Sequence, residues 1–271
     1  MRLKWTSAFL FLLLASELVA QDYNVPFRRR GSDFVDPTCS REFGALDYRI
    51  VIADGGVDSA IDFSGTNGFT FCAWLEPDGI GVSGGRIFDK HGSQAQDTGF
   101  SWAFVDSANE DFVMFVNNDL TDNYGVSATG IWTVSTWECH CVTVRHGSFD
   151  DVTFYVNGSA FGSEQDGSIA SGPVADNSTD FYIGIRQDLY REMDARIAYI
   201  QAWSEPITNE TTLTNACYDP CSEPTNQVFG LTLCDDSSTQ TDYIGSWDGT
   251  VTGPTLVTDN GPPITGMSCV E

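Results

Sequence analysis

The stretch WECHCVTVRHGSFDDVTFYVNGS, residues 137–159, decides the fold. It holds four potential zinc ligands close together: Cys139, His140, Cys141 and His146. It is also rich in β-branched and aromatic residues, which favour strands. Asn157-Gly158 predicts a type I′ hairpin turn, because both turn positions need positive φ. This pattern indicates either a metal site or a strand that contains thiols.

Strand geometry separates these two interpretations, since successive side chains point to opposite faces. One face carries Trp137, Cys139, Cys141, Thr143 and Arg145, and the other carries Glu138, His140, Val142, Val144 and His146. A zinc site built from both cysteines and both histidines would require the strand to break. We therefore expect the two cysteines to form disulfides with neighbouring segments. Cys72, on another predicted strand, is a candidate partner.

Residues 1–20 have the features of a secretory signal peptide. Arg2 and Lys4 precede the short apolar run 8–15, and Ala20 is a candidate cleavage residue. No later segment is apolar for the roughly 18 residues that a membrane helix needs. We expect a secreted, extracellular protein without membrane insertion; an uncleaved N-terminal anchor is the alternative.

The segment 21–43 is predicted to be an N-terminal tail. Three consecutive arginines, residues 28–30, make it either a processing site or a flexible basic tail.

All eight cysteines follow the predicted signal peptide: Cys39, Cys72, Cys139, Cys141, Cys217, Cys221, Cys234 and Cys269. An oxidising compartment favours disulfides over zinc thiolates. The connectivity cannot be read from their spacing.

The formal net charge of −25 makes nucleic acid and anionic membranes unsuitable partners. It suits calcium or basic partners. Many of the acids lie in turns, where Asp and Asn side chains bend and cap the backbone. A solvated acidic surface therefore accounts for most of them.

Strand signals are frequent and helix signals are scarce. Short aromatic and β-branched segments bounded by Gly, Asn, Asp or Pro occupy residues 68–77, 99–106, 111–119, 139–147, 151–159, 180–187 and 195–205. Their spacing predicts an antiparallel sandwich. Residues 206–219 predict a short helix with Thr208 as its N-cap.

These segments together resemble a known family. VDSAIDFSGTNGFTFCAWLEPDG (57–79) is followed by GRIFDKHG, GFSWAFV, TWECHCVTV, VTFYVNGSAFG, FYIGI and ARIAYIQAWSEPIT. This order is similar to the laminin-G-like, concanavalin A-like jelly roll and covers residues 45–214. The resemblance implies an all-β, two-sheet antiparallel jelly-roll sandwich, with loops at one rim. We place this sandwich at 44–216.

The remaining residues, 217–271, form a disulfide-stapled C-terminal segment. Within it, 229–263 resembles the first strands of the same fold. We hypothesise that the segment returns to complete the sandwich, held by Cys217, Cys221, Cys234 and Cys269. The alternative is a separate small extension.

A calcium site is the candidate metal site, because hard oxygen ligands at loop tips suit calcium. The candidate ligands are Asp97, Asn117, Asn118, Asp119 and Asp122. The resemblance places a rim metal near such loops in some members. Solvated turns are the alternative.

Glycan binding needs exposed aromatic rings beside hydrogen-bonding groups, and Trp102, Tyr124 and Trp132 lie near the same loops. For Trp102 the alternative is core packing, because Phe100, Trp102 and Phe104 alternate with small residues. Three glycosylation sequons begin at Asn157, Asn177 and Asn209.

Catalysis is not favoured by the pattern. Glycosidases need two carboxylates that face one bond. Glu110 and Asp111 are adjacent and so point to opposite faces, and Glu138 is the lone acid on its strand. We expect a non-catalytic module that binds an extracellular glycan or matrix protein. A component of an extracellular coat and a divergent glycoside hydrolase are the alternatives.

Overall fold

A computed structural model describes residues 39–56, 59–64, 66–91, 98–105, 110–117, 127–146, 151–162, 174, 178–219, 225–244, 246–258 and 260–264. Within these residues the N-terminal strands are β1 (Ser40–Phe43), β2 (Arg49–Ile52), β3 (Gly68–Pro77), β4 (Arg86–His91), β5 (Gly99–Phe104), β6 (Phe112–Asn117), β7 (Ser127–Ala128) and β8 (Glu138–Arg145). They are followed by β9 (Asp151–Val156), β10 (Ser159–Gly162), β11 (Phe181–Ile183), β12 (Ala195–Trp203), helix α1 (Glu210–Tyr218), β13 (Gln227–Leu231), β14 (Thr239–Gln240), β15 (Gly249–Thr252) and β16 (Thr255–Val257).

The strands form two antiparallel sheets, which confirms the predicted sandwich. The first sheet has the order β10-β9-β8-β3-β12-β1-β16, and β13 also pairs with β12. The second sheet has the order β14-β15-β2-β11-β4-β5-β6-β7.

Strands after α1 belong to both sheets. In the first sheet β13 pairs with β12 and β16 pairs with β1, while in the second sheet β15 pairs with β2. Arg41 on β1 strengthens this closure, because its Nη1 donates to the carbonyl of Pro254 at 2.9 Å. The N-terminal and C-terminal ends of the described chain are thus joined by strand pairing.

The main core lies between the two sheets and is built largely from aromatic rings. Phe71 of β3 is central to it, with ring centroids of Phe88 and Phe63 at 4.1 and 5.2 Å. Val142 and Val144 of β8 also point into this core. Burial of such large apolar side chains is the main favourable contribution to folding.

The outer face of the first sheet carries a second, smaller core. There Cys139 and Cys141 of β8 pack with Trp74 and with Leu213 of α1. The two faces of β8 are therefore populated as strand alternation predicts. The Trp74 Nε1 donates to the carbonyl of Cys217 at 2.6 Å, which fixes α1 on the sheet.

Three disulfides are described: Cys39–Cys234, Cys72–Cys141 and Cys139–Cys217. They confirm the disulfide prediction for these six cysteines and Cys72 as the partner of Cys141. Cys221 and Cys269 lie outside the described residues. The zinc interpretation of Cys139 and Cys141 is wrong, because both cysteines are in disulfides and cannot act as thiolate ligands.

Two local predictions have different outcomes. The type I′ turn is confirmed, since Asn157 and Gly158 have φ of 52° and 83°. Gly158 is also required for space, because a Cβ there would lie 2.1 Å from Thr214 Oγ1. The N-cap of α1 is Asn209 and not Thr208: the Asn209 Oδ1 accepts from the Thr212 N–H at 3.1 Å, and Asn is a strong N-cap.

Among the described residues, no helix has the length and hydrophobicity of a membrane span.

Candidate functional site

The two outer faces of the sandwich differ in what covers them. Helix α1 and the Cys139–Cys217 disulfide cover the first sheet. The main packing contacts of the helix are with β3 and β10, both of the first sheet. The outer face of the second sheet is therefore the candidate binding face.

A row of side chains crosses six strands of this face in register: Thr250, Val51, Tyr182, Asp89, Ser101 and Phe115. Their sequence neighbours Phe88, Phe100 and Trp102 point inward to the core. Because side chains alternate along a strand, the row must point outward.

The centre of the row is polar and deeply set, and it lies between two aromatic residues. Asp89 and Ser101 are 0% and 1% exposed, while Tyr182 and Phe115 on either side are partly exposed. The Cα atoms of the two aromatic residues are separated by three strand spacings, about 14 Å. This arrangement is a polar floor with an aromatic wall at each side.

Arg86 joins the floor because of an irregularity in β4. The register shifts between Arg86 and Phe88, so that Arg86 pairs with Ala103 and lies on the outer face. Its guanidinium lies 4.9 Å from the Phe115 ring centroid, a cation–π contact. Its Nε lies 3.7 Å from Asp89 Oδ1.

The Arg86–Asp89 pair is poor in hydrogen bonds. Within the described ranges, Arg86 Nε and Asp89 Oδ1 are buried and have no hydrogen-bond partner. Asp89 Oδ2 accepts a long hydrogen bond from the Gln187 N–H at 3.4 Å, and the backbone of His91 also donates to this carboxyl. Buried polar groups are usually satisfied, so the unsatisfied atoms of this pair are a cost to folding.

The electrostatics of the floor follow from this burial. Burial raises the pKa of the Asp89 carboxyl to about 7, against the opposing charge of Arg86. Burial also lowers the pKa of the Arg86 guanidinium to about 10, and the charges of Arg191 and Arg186 act in the same direction. The face thus gathers arginines on a protein whose net charge is −25.

The loop between β11 and β12 borders the face with a fixed ion pair. Arg186 Nε donates to Asp188 Oδ1 at 2.8 Å, and this hydrogen bond raises the pKa of Arg186. Arg191 Nη1 donates to the carbonyl of Ser83 at 2.6 Å, which ties the loop to the turn before β4. These contacts position the border of the floor.

A separate acidic cluster lies on the inner side of the second sheet and holds its own cation. Lys90 is fully buried, and its Nζ lies 2.7 Å from Asp62 and 3.3 Å from Asp54. Ser59 Oγ lies within hydrogen-bonding distance of both carboxylates, 2.7 Å from Asp54 Oδ1 and 2.8 Å from Asp62 Oδ2. Lys90 therefore supplies the positive charge that balances Asp54 and Asp62.

Buried His140 is an inward-facing residue of β8 rather than part of the binding face. Burial lowers its pKa to about 3. Its ring contacts Phe112 at 4.9 Å, and its Nε2 lies 3.6 Å from Glu138. His140 is thus a neutral core residue.

Two of the three predicted stacking residues do not suit that role. Trp102 and Trp132 are 0% and 1% exposed. Trp102 packs on Phe88 and Phe112, with ring centroids at 5.7 and 5.3 Å. Neither ring can stack on a sugar without unfolding, so core packing is the correct interpretation for both. Tyr124 lies outside the described residues.

The predicted calcium ligands are not brought together in the described residues. Asn117 is the last residue of β6. Asp97, Asn118, Asp119 and Asp122 lie outside the described residues. The calcium site stays a prediction.

The glycosylation sequons differ in their surroundings. Asn209 is exposed at the start of α1, whereas Asn157 is half-buried and its Oδ1 accepts from the Cys139 N–H at 3.0 Å. Asn177 lies outside the described residues.

Sequence reasoning missed Arg86, Asp89, Ser101, Phe115 and Tyr182. The signal for Ser101 was present, because it lies next to Trp102 and an inward Trp102 requires an outward Ser101. Arg86 had no such signal, since the irregularity in β4 breaks the alternation.

Comparison with one solved structure supports the same fold. A presumed carbohydrate-binding protein from Bacteroides ovatus superposes with a TM-score of 0.59 and 19% identity, over 84% of this chain and 61% of that chain. This chain thus spans about three fifths of that protein. A heptameric SAP-like pentraxin from Limulus polyphemus has a TM-score of 0.49 and 18% identity, over 81% of this chain and 97% of that chain.

No curated protein matches the sequence. The family model described as the concanavalin A-like lectin/glucanases superfamily matches residues 53–211, which is more than half of the chain. The chain therefore belongs to the concanavalin A-like lectin/glucanase superfamily, as its resemblance predicts.

Proposed function

We propose that the protein is a secreted, non-catalytic module that binds an extracellular glycan on the outer face of its second sheet. The observation that carries this proposal is the polar floor of Arg86, Asp89 and Ser101 between the partly exposed rings of Tyr182 and Phe115. The Bacteroides ovatus protein of the same fold is described as presumed to bind carbohydrate, which agrees with it.

A sugar suits both parts of this face. Its hydroxyl groups donate and accept hydrogen bonds, as does the hydroxyl of Thr250, an exposed residue of the same row. Its apolar C–H face packs on aromatic rings, which combine a large apolar surface with few rotatable bonds. Binding sites commonly combine apolar walls with a few polar groups in this way.

Binding without turnover agrees with the carboxylates of the face. A glycosidase needs one carboxylic acid and one carboxylate, about 5 to 9.5 Å apart, on either side of the scissile bond. Here Asp89 pairs with Arg86 and Asp188 pairs with Arg186. Both of these acids are engaged by an arginine, which favours a binding role.

Calcium dependence is a finer part of the proposal. Calcium would be held by the predicted loop ligands Asp97, Asn117, Asn118, Asp119 and Asp122, whose oxygen atoms suit a hard cation.

The test is a glycan array probed with the mature protein, with calcium and with a chelator. We expect binding to at least one glycan class, and Tyr182→Ala should weaken it by about tenfold through loss of a stacking ring. Phe161→Ala is the matched control, because Phe161 is 46% exposed on β10 of the first sheet. Binding that persists in the presence of the chelator would contradict only the calcium part of the proposal. Absence of binding in both conditions would overturn the proposed function.

A further inference from the structure

A groove of about 650 Å³ lies at one end of the sandwich, between the β1–β2 turn, the β3–β4 loop and the segment before β12. Its apolar lining includes Leu46 and Val82, which are 75% and 39% exposed. Its acidic lining consists of Glu192 and Asp194. The groove therefore combines an open apolar wall with two carboxyl groups.

Glu192 is the best evidence that the groove is built for a ligand. The residue is 5% exposed, and within the described chain its Oε2 has no hydrogen-bond partner. Its own carbonyl accepts from the Val82 N–H at 2.9 Å, which fixes the position of the residue. A buried carboxylate oxygen without a donor is costly, so a donor from outside the chain would be favourable.

Asp194 adds a second carboxylate to the groove, and it lies near other negative charges. Burial and the negative charges of Asp78 and Glu42 raise the pKa of its carboxyl. Gly44 and Gly79 leave space around it, since a Cβ at these positions would lie 3.4 and 3.1 Å from its oxygen atoms. A positive charge placed here would relieve the repulsion among the three acids.

The chain does not supply that charge from its described residues. Two arginines lie nearby and are already engaged. The Arg196 guanidinium pairs with Glu76 at 2.5 Å and with Glu42 at 3.8 Å, and Arg191 Nη1 donates to the carbonyl of Ser83 at 2.6 Å. No ion pair within the described ranges involves Glu192 or Asp194.

A metal ion fits the groove less well than an organic cation. Metal sites need at least three ligand atoms close together. In the part of the chain that the structure describes, the one such group is Cys139, Cys141 and Cys217, all in disulfides.

We propose that this groove binds the side chain of a lysine or arginine presented by a basic partner protein. The alkyl stem lies on Leu46 and Val82, and the charged end donates to Glu192 and Asp194. The net charge of −25 attracts such a partner over longer distances. This inference does not depend on glycan binding.

The test is an NMR titration of the ¹⁵N-labelled mature protein with Nα-acetyl-lysine amide. Nα,Nε-diacetyl-lysine amide is the matched probe, because it keeps the stem and removes the charge. We expect the charged probe to shift the amide signals of Leu46, Val82 and Met193, and to bind about tenfold tighter than the neutral one. Equal binding of both probes, or no shift with either, would overturn the inference.

Substitutions of the acidic residues test which carboxylates the charged probe needs for binding. Glu192→Gln and Asp194→Asn should each weaken binding of the charged probe by about fivefold to tenfold. Asp47→Asn removes one charge from an exposed residue of the neighbouring turn and should change it by less than about twofold. An equal loss in all three variants would show mere surface attraction. Calcium that shifts the same signals and competes with the probe would show a metal site, and either result would overturn the inference.

Discussion

The outer faces of the two sheets use the same strand alternation for opposite purposes. On the first sheet, the outward residues of β3 and β8 include Trp74, Cys139 and Cys141, which are at most 2% exposed beneath α1. On the second sheet, the outward residues of β4 and β5 include Arg86, Asp89 and Ser101. The first face is apolar and crosslinked, and the second is polar and charged.

This difference indicates that the first face mainly stabilises the fold, while the second face is the one available for function. The first face contributes burial, two disulfides and a helix, all of which oppose unfolding. The second face buries a charged pair with few hydrogen bonds, which is a cost to folding. A cost of this kind is typical of functional sites.

The largest expected effect comes from removing the crosslink of the first face. Cys139→Ser together with Cys217→Ser should lower the free energy of unfolding by about 2–5 kcal/mol, because the helix is no longer tied to β8. Urea denaturation of the mature protein measures this. Glycan binding by the folded protein should be retained, since the second face is untouched. A loss of binding at unchanged stability would reverse the roles that we give to the two faces.

The second expected effect concerns the pH dependence that Asp89 imposes. Its folded pKa of about 7 lies above the unfolded value, so its contribution to stability is present below about pH 4 and is lost as the pH rises through 7. Between pH 5 and 8 the wild type should therefore lose about 2–3 kcal/mol relative to Asp89→Asn. Urea denaturation of both proteins at the two pH values measures the difference. Parallel behaviour of the two proteins would show that Asp89 is ionised throughout.

The third effect has the opposite sign and arises in the core. His140 has a folded pKa of about 3, below its unfolded value, so its contribution to stability is present above about pH 6.5 and is lost as the pH falls. From pH 8 to pH 5 the wild type should lose about 2 kcal/mol relative to His140→Leu. The same denaturation experiment measures it. A pH-independent difference between the two proteins would mean that His140 reaches solvent.

The smallest expected effect concerns Asn209 at the start of α1, which is both the N-cap of the helix and a predicted glycosylation site. Asn209→Ala should cost about 1 kcal/mol by removing the N-cap, and it should also abolish glycosylation. Thr211→Ala removes the sequon but leaves the cap, so it should abolish the glycan at little cost in stability. Mass spectrometry of protein from a eukaryotic secretory host and thermal denaturation give the two readouts. Equal destabilisation by both variants would assign the effect to the glycan.

Much of the first face could be predicted from the sequence, because its pattern is local. Alternation along β8 separates the cysteines from the valines, and an even count of cysteines after a predicted signal peptide favours disulfides. Asn157-Gly158 predicts its own turn. Pairing of the strands after residue 226 with both sheets is a long-range property, and the sequence supported it only through resemblance.

The second face could not be predicted, because its site depends on contacts between distant segments. Strict alternation would place Arg86 on the side of Phe88, but the irregularity in β4 turns it towards Asp89. Tyr182 and Phe115 meet this pair only through the order of β11, β4, β5 and β6. The aromatic residues near acidic loops, Trp102 and Trp132, drew attention because of their chemistry and are core residues.

The most direct test of the two-face account is NMR mapping of the best-binding oligosaccharide from the array on the isotopically labelled mature protein. We predict that the largest amide shifts occur at Val51, Tyr182, Asp89, Ser101 and Phe115, with signals of α1 unchanged. Shifts confined to α1 and the first sheet, with the second-sheet row unaffected, would contradict the account.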